Sequence, residues 1–289
     1  MLSNTKPRIV ITGANGFIGS FLVEYLSRAG YPVLALVRSI PANQRENITY
    51  SQFDLNIGLA DPGILNKDDI LVHCAYSKLA DAKHDANTSG LKLLLAAAEK
   101  TGIKKHLFFS SISAKPVTSS YYGRHKYQST LLFNKNDAIL TTGLVIGNGG
   151  VFAHTLAFIK KTGLIPTIQK GKQPIYFVGI HEAAEAVHKI ISENLSGNFL
   201  LANPTPVSYI DFYKKAALFY QTRARRLHVP VSLMKLVIYL NSFLKKPFIT
   251  QENLKGLTEL TFIENTDQMC LNIVEFEELE QVFPKAIIP

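Results

Sequence analysis

The sequence predicts an α/β protein, a doubly wound parallel sheet followed by a smaller, mostly helical C-terminal lobe. Three observations carry that reading. Short, continuous apolar runs alternate with helical stretches, the mark of strands buried on both faces and covered by helices. A glycine-rich turn joins the first run to the first helix. Past about residue 150 the alternation loosens into helix-like segments.

Taken in order, Arg8 to Thr12 is a β-branched run that leads into Gly13-Ala-Asn-Gly16-Phe-Ile-Gly19. Phe17 to Ala29 is apolar at helical spacing (Ile18, Phe21, Leu22, Tyr25, Leu26) and stops at Gly30. Further strands are expected at Pro32–Val37, Ile48–Phe53, Asp69–Ala75 and Lys105–Ser110, with a helix over Leu91–Lys100 between the last two. Ala138 to Val145 reads as one more strand, and Gly147-Asn-Gly-Gly150 as a break. Helices are then expected at Val151–Lys161, Glu182–Glu193 and Tyr209–Tyr220, and short strands at Ile175–Val178 and Asn198–Leu201. This divides the chain into a sheet domain at 1–150 and, at 151–289, the remaining sheet elements with a C-terminal substrate lobe.

Composition narrows the class. Of 289 residues 47% are hydrophobic and 18% charged, enough apolar surface for a real core and too much for a disordered chain. Two cysteines, Cys74 and Cys270, exclude a disulfide scaffold and favour a cytoplasmic protein. The net charge of +9 is scattered, densest at Lys104-Lys105, Arg223 to Arg226 and Lys245-Lys246. That pattern suits a basic surface or attraction of an anionic ligand such as a nucleotide, not nucleic-acid binding. The longest apolar stretch, Val229 to Leu244, is interrupted by Pro230, Lys235 and Asn241, so it predicts no membrane span. It reads as a core-facing helix of the C-terminal lobe, with peripheral membrane contact as the lesser alternative.

The glycine turn carries the first chemistry. Gly13 permits a tight turn, Gly16 lets the backbone approach a pyrophosphate, and Gly19 lets helix and strand pack closely. The helix N-terminus then offers free N–H groups to phosphate. This is a dinucleotide-binding turn and the sheet is of the Rossmann type. Selectivity between dinucleotides is read at the end of the second strand. Val37 and Arg38 stand where a carboxylate would hold the ribose 2′-hydroxyl of NAD, and a guanidinium suits a 2′-phosphate. NADP(H) is therefore favoured and NAD(H) possible. Asp54, closing the third strand, is placed for the adenine amino group or for a turn or cap.

The second constellation is Ser110-Ser111-Ile-Ser113 at the end of the fifth strand, followed by Tyr122-Gly-Arg-His-Lys126. Tyr122 and Lys126 at i and i+4 face the same way on a helix. Reduction of a ketone needs a proton donor at the carbonyl oxygen. A free phenol, with a pKa of about 10, is poorly matched to that task until a neighbouring ammonium and a bound oxidised nicotinamide lower it.

These segments, with Asp54-Leu55 and Asn87-Thr-Ser-Gly90, resemble the extended short-chain dehydrogenase/reductases, the NAD-dependent epimerase/dehydratase-like family. The resemblance covers about residues 7–150, with a weaker echo from Gly143-Leu-Val-Ile-Gly147 to Phe177-Val-Gly-Ile-His-Glu182. It implies Tyr122 as acid-base catalyst and Lys126 as partner of the tyrosine and the nicotinamide ribose. Ser111 is implied as third member, with Ser113 as fallback. The implied cofactor contacts are Gly13, Asn15, Gly16, Phe17, Ile18, Gly19, Arg38, Asp54, Leu55, Ala75, Tyr76, Ser110, Tyr122 and Lys126. The Val37-Arg38 ending is similar to members that use NADP(H), such as dihydroflavonol reductases.

Three departures matter. The interval from Ser111 to Tyr122 is short, Ile112-Ser113-Ala114-Lys115 lacks the acids of the dehydratases, and Thr141-Thr142 stands where Arg-Pro is usual. The histidines show no metal-ligand spacing, so no metal is expected, and His84, His106 and His125 read as surface or helix-packing residues. Cys74 reads as a small packing residue. The sequence thus points to an NADP(H)-dependent oxidoreductase that reduces or epimerises a keto or hydroxyl carbon of a nucleotide-linked sugar, as a homodimer pairing helices near 88–101 and 121–134. The alternatives are an NAD-dependent sugar-nucleotide epimerase and, from another class, a non-catalytic dinucleotide sensor or assembly subunit.

Overall fold

A computed structural model describes residues 6–78, 84–234, 238, 251–263 and 273–286. The first half follows the strand–helix alternation: β1 (Ile9–Thr12), α1 (Phe17–Arg28), β2 (Val33–Val37), β3 (Ile48–Asp54), β4 (Gly58–Leu59), β5 (Ile70–His73), α2 (Ala86–Thr101), β6 (Lys105–Ser111), α3 (Tyr121–Thr130) and β7 (Ala138–Thr142). Then come β8 (Leu144–Ile146), α4 (Gly150–Thr162), β9 (Leu164–Thr167), β10 (Pro174–Ile175), β11 (Phe177–Gly179) and α5 (Ile180–Ser192). The chain continues through β12 (Gly197–Leu201), β13 (Val207–Ser208), α6 (Tyr209–Phe219), β14 (Arg225–His228), α7 (Gln251–Thr258) and α8 (Leu279–Lys285).

Two compact units emerge. One comprises Met1–Ser110, Tyr127–Thr141 and Ala184–Phe199, the other Ser111–Lys126, Thr142–Ala183 and Leu200–Pro289. The eight-stranded sheet runs β12-β7-β6-β5-β1-β2-β3-β4. β1 pairs in parallel with β2 on one side and β5 on the other, so the chain leaves β1 in one direction and later returns past it. That reversal creates the switch point at whose strand ends α/β sheets bind ligands. Every residue of β1, β2 and β6 is buried; β1 and β2 are apolar but for Thr12, whereas β6 also buries Lys105, His106, Ser110 and Ser111. α1 covers the sheet with Gly19, Leu22, Val23 and Leu26. α2 is capped by Asp85, whose carboxylate accepts the Thr88 amide at 3.1 Å, and it ends at the left-handed Gly102. The core of this unit gathers Val10, Leu34, Leu36, Phe53, Leu71 and Leu94.

In the other unit an aromatic core forms around Phe152, which stacks on Phe283 at 5.9 Å and meets Phe212 edge-on at 6.0 Å. Here sequence and structure part in two places. The run from Ala138 to Val145 is not one strand, because Gly143 divides it. A Cβ at Gly143 would lie 2.4 Å from the Tyr176 carbonyl oxygen, so the chain crosses another backbone there. β8 beyond it pairs in parallel with β11. Likewise, Ile175–Val178 contains the end of β10 and the start of β11, which join different sheets. Of the apolar stretch 229–244, Val231 to Met234 and Ile238 are helical, and Met234 and Ile238 pack with Ile168 and Leu254. The rest of that stretch lies outside the described residues.

His106 is not a surface residue. It sits buried on β6, and its Nδ1 lies 2.8 Å from Asp137 Oδ1, which also accepts the His106 amide. Burial pushes the Asp137 carboxyl up, but hydrogen bonds from His106 and the Asn134 amide outweigh it and hold the group below its ordinary value. His125 is buried on α3 and stacks on Tyr121, whereas His84 is exposed.

Candidate active site

The glycine turn of the first unit is held by backbone contacts that admit no side chain. Gly13 adopts φ +64°, and a Cβ there would lie 2.8 Å from the Ala75 backbone. Thr12 ties the same two strand ends together. Its hydroxyl accepts the amides of Cys74 at 3.1 Å and Ala75 at 3.2 Å, which leaves its hydrogen for His73 Nδ1 at 2.9 Å. A Cβ at Gly19 would stand 2.2 Å from the Gly13 carbonyl oxygen, so α1 springs directly from the turn. Gly16 precedes α1 in extended conformation with no side-chain cap. Asn15 and Gly16 are exposed, while Phe17 and Ile18 are half-buried. An uncapped helix N-terminus beside a turn closed to side chains fits a dinucleotide pyrophosphate.

Arg38 follows the end of β2 and is exposed. Its carbonyl accepts the Gln52 side-chain amide at 3.0 Å, and its guanidinium forms no ion pair among the described residues. Asp54 Oδ1 accepts both the amide and the side-chain N–H of Asn56 at 2.8 Å, which gives it the work of a turn residue. Leu55 is buried and Ala75 and Tyr76 are partly exposed at the end of β5. The loop after them is fixed by Asn87, whose side-chain oxygen accepts the Ser77 amide at 2.7 Å while its nitrogen donates to the Ser77 carbonyl at 3.0 Å.

The second unit brings Ser111, Tyr122 and Lys126 together. Ser110 and Ser111 end β6 and are buried. Ser111 is hydrogen-bonded to the Tyr122 phenol, and its hydroxyl oxygen accepts the Ser113 amide at 3.2 Å. The Lys126 ammonium lies 5.9 Å from the centroid of the Tyr122 ring, and the lysine is buried. The phenol is not lowered by the protein alone. Burial pushes the Tyr122 phenol above its ordinary value, and the Ser111 hydrogen bond pulls it only part of the way back.

The sequence alone assigns Gly123, inside the tyrosine motif, no role. A Cβ there would lie 2.4 Å from the Ser113 carbonyl oxygen, so this glycine lets α3 settle against the Ser111–Ser113 turn. The available signal was a glycine one residue after the tyrosine, at the start of a helix it would otherwise weaken. Glu259 had no signal at all. Just past α7, its carboxylate accepts the Ser119 amide at 2.9 Å and the hydroxyls of Thr118 and Ser119, which anchors the segment leading into α3. A cleft beside it is lined by Ile112, Ser113, Lys115, Ser120, Glu259 and Leu260, among others. Among the described residues, no group of three His, Cys, Asp or Glu could hold a metal ion, and no helix is long and apolar enough to cross a membrane.

A glycine turn and parallel sheet of this kind occur in dinucleotide-binding folds, and comparison with known proteins finds a family model that matches part of the chain. The model of the NAD dependent epimerase/dehydratase family matches residues 9–136. Over those residues the chain resembles that family. A Synechocystis protein named after dihydroflavonol 4-reductase is 32% identical over 113 residues, which span 36% of this chain but only 32% of that protein's length. Subunit 9 of the 1 alpha subcomplex of mitochondrial NADH dehydrogenase, from Arabidopsis thaliana, is 22% identical over 94% of this chain and 73% of its own. Among solved structures, the UDP-N-acetylglucosamine 4-epimerase of Methanobrevibacter ruminantium, in complex with UDP-N-acetylmuramic acid, superposes with TM-score 0.70. It is 18% identical and the match covers 98% of this chain and 97% of that one, a likeness of fold.

Proposed function

We propose that the chain is an NAD(P)(H)-dependent oxidoreductase that reduces or epimerises a keto or hydroxyl carbon, with a nucleotide-linked sugar as substrate. The observation that carries the reading is the hydrogen-bonded Ser111–Tyr122 pair with the Lys126 ammonium over the tyrosine ring. The dinucleotide would be held by Gly13, Gly16, Gly19 and the N-terminus of α1, with Arg38 on the ribose phosphate that distinguishes NADP(H). When bound, it supplies or accepts the hydride.

The remaining chemistry belongs to the side chains. Tyr122, kept neutral by burial, gives its proton to the carbonyl oxygen of the substrate. The phenolate left behind is stabilised by the Lys126 charge and by the Ser111 hydroxyl, which donates to it. Ser111 also positions the substrate oxygen beside the tyrosine. Without an acidic residue in Ile112-Ser113-Ala114-Lys115, the site lacks the groups a dehydration would use. A homodimer through α2 and α3 belongs to the same reading, and Leu93 on α2 and Leu131 just past α3 are exposed apolar residues suited to it.

Tyr122→Phe tests the proposal. Cofactor affinity stays at the wild-type level while turnover of keto-sugar nucleotides falls by about 10²–10⁴-fold. Unchanged turnover would remove Tyr122 from the chemistry. Two other readings have support. The family description, which names NAD, favours an NAD-dependent epimerase. The long match to a respiratory-complex subunit favours a non-catalytic assembly role. NADH binding tighter than NADPH would select the first. Dinucleotide binding with no turnover across a substrate panel would select the second.

A further inference from the structure

From Phe212 to Gln251 the sequence carries eight lysines and arginines and no aspartate or glutamate, eight of the nine net positive charges of the whole chain. Neither the glycine turn nor the Ser111–Tyr122–Lys126 group uses them. Three of these cations, Arg223, Arg225 and Arg226, lie on or beside β14, where every residue is exposed. β14 pairs in parallel with β9 alone among the described strands, so it forms an edge.

The end of α4 brings two more cations to the same place. The Arg225 amide donates to the Gly163 carbonyl at 2.8 Å, directly after the exposed Lys160 and Lys161. The Lys160 ammonium lies 4.6 Å above the Tyr220 ring. Arg226 reaches the Thr167 hydroxyl through Nε at 3.2 Å. None of the five cations forms an ion pair among the described residues.

Apolar side chains stand exposed around them: Leu218 at 80%, Leu227 at 42%, and Phe158 and Phe219 at 39% each. Phe219 touches Tyr220, with ring centroids 4.9 Å apart, so the aromatic groups border the Lys160 site. Cations alone would suit any polyanion. Cations interleaved with exposed leucine and phenylalanine suit a surface that is anionic at its headgroups and apolar just beneath. A duplex nucleic acid would give the leucines nothing to bury against.

We propose that the edge formed by β14, the end of α4 and the end of α6 is a docking surface for an anionic lipid bilayer, on which the protein lies peripherally. Arg223, Arg225, Arg226, Lys160 and Lys161 meet the headgroup phosphates, and Leu218, Phe219 and Leu227 enter the interfacial layer. The surface is independent of the proposed catalytic function.

The test is co-sedimentation of the full chain with equimolar phosphatidylcholine–phosphatidylglycerol vesicles and with pure phosphatidylcholine vesicles. The protein sediments with the anionic vesicles only. Binding weakens steeply as salt rises from about 0.1 M to about 1 M, because the screening length shortens from about 10 Å to about 3 Å. Arg223→Gln/Arg225→Gln/Arg226→Gln lowers the partition coefficient by about 50-fold or more, at about fivefold per cation, with thermal midpoint and NADPH binding unchanged. Lys160→Gln/Lys161→Gln lowers it less, and Leu218→Ser/Leu227→Ser weakens binding that survives high salt. The proposal is overturned if the wild type ignores anionic vesicles at low salt, or if the triple variant binds them as well as wild type. It is also overturned if duplex DNA or tRNA is bound more tightly than vesicles through the same arginines. Self-association of the triple variant without any vesicle binding would reduce the charges to protection of an exposed strand edge.

Discussion

Replacing Gly19 by alanine adds one carbon atom at the most crowded point of the glycine turn. The new Cβ would lie 2.2 Å from the Gly13 carbonyl oxygen and 2.8 Å from its carbonyl carbon. A comfortable C···O approach is about 3.3 Å, so α1 must withdraw from the turn by about 1 Å. Both obstructing atoms are backbone, and no flexible side chain can yield instead. Overpacking of this kind costs about 1–3 kcal/mol, while alanine returns about 1 kcal/mol through its helix propensity. With only backbone atoms to yield, the crowding wins, for a net loss of up to about 2 kcal/mol. Gly256, inside α7, supplies the control, since a Cβ there meets nothing within 4 Å. Gly256→Ala keeps the helix gain without the crowding and stabilises by about 0.5–1 kcal/mol. At about 2–4 °C per kcal/mol for a chain of this size, the thermal midpoint falls by several degrees in Gly19→Ala and rises by a few in Gly256→Ala. Nicotinamide fluorescence gives the second reading. Displacement of the helix N-terminus raises the NADPH dissociation constant at least tenfold, about 1.4 kcal/mol, in Gly19→Ala alone. A Gly19→Ala protein as stable as wild type, with unchanged NADPH affinity, would refute the close-approach argument.

Arg38→Ala raises the NADPH dissociation constant tenfold or more and leaves NADH binding as it was; an equal effect on both cofactors in the same titration would remove Arg38 from the 2′-phosphate. Asp137→Asn costs about 2–3 kcal/mol at neutral pH, because the buried carboxylate accepts from His106 and Asn134. Since its folded value is depressed, the Asp137 contribution is complete above the ordinary carboxylate value of about 3.9 and is lost as pH falls through the folded value. Denaturant melts of both proteins should therefore converge only in strong acid. Glu259→Ala frees Thr118 and Ser119 and lowers the thermal midpoint by a few degrees; Glu259→Gln, which keeps acceptor capacity, restores part of the loss, and identical melts for both variants would contradict the anchoring role.

What could be read from the sequence was what neighbouring residues encode together. Arg8 to Gly30 contains strand, turn, helix and stop in one uninterrupted stretch. Ser111 and Tyr122 are joined by a single short loop, so their pairing needed little knowledge of the rest of the chain. The features that escaped are long-range. Glu259 anchors Ser119 from 140 positions away, and Asp137 reaches His106 across 31. No local pattern marks either contact. Gly143 looked like part of a strand because β-branched or apolar residues flank it on both sides. Only the approach of the Tyr176 backbone shows why the strand must break there.

Tyr122 shows why a pairing can be legible while its electrostatics are not. The i, i+4 spacing with Lys126 argues for a lowered phenol, yet burial, which spacing does not encode, has the larger effect and raises it. A phenol raised above about 10 stays neutral throughout the physiological range, so it holds its proton but is a weaker acid than a free tyrosine. Proton transfer at Tyr122 in either direction would therefore need further positive charge near the ring. Tyrosinate absorbance, taken as the difference between wild type and Tyr122→Phe, should show this group ionising after an exposed tyrosine. Ser111→Ala should delay it further, because the hydroxyl that favours the phenolate is gone. Ionisation of Tyr122 below the ordinary tyrosine value, without cofactor, would mean that Lys126 and not burial governs the phenol.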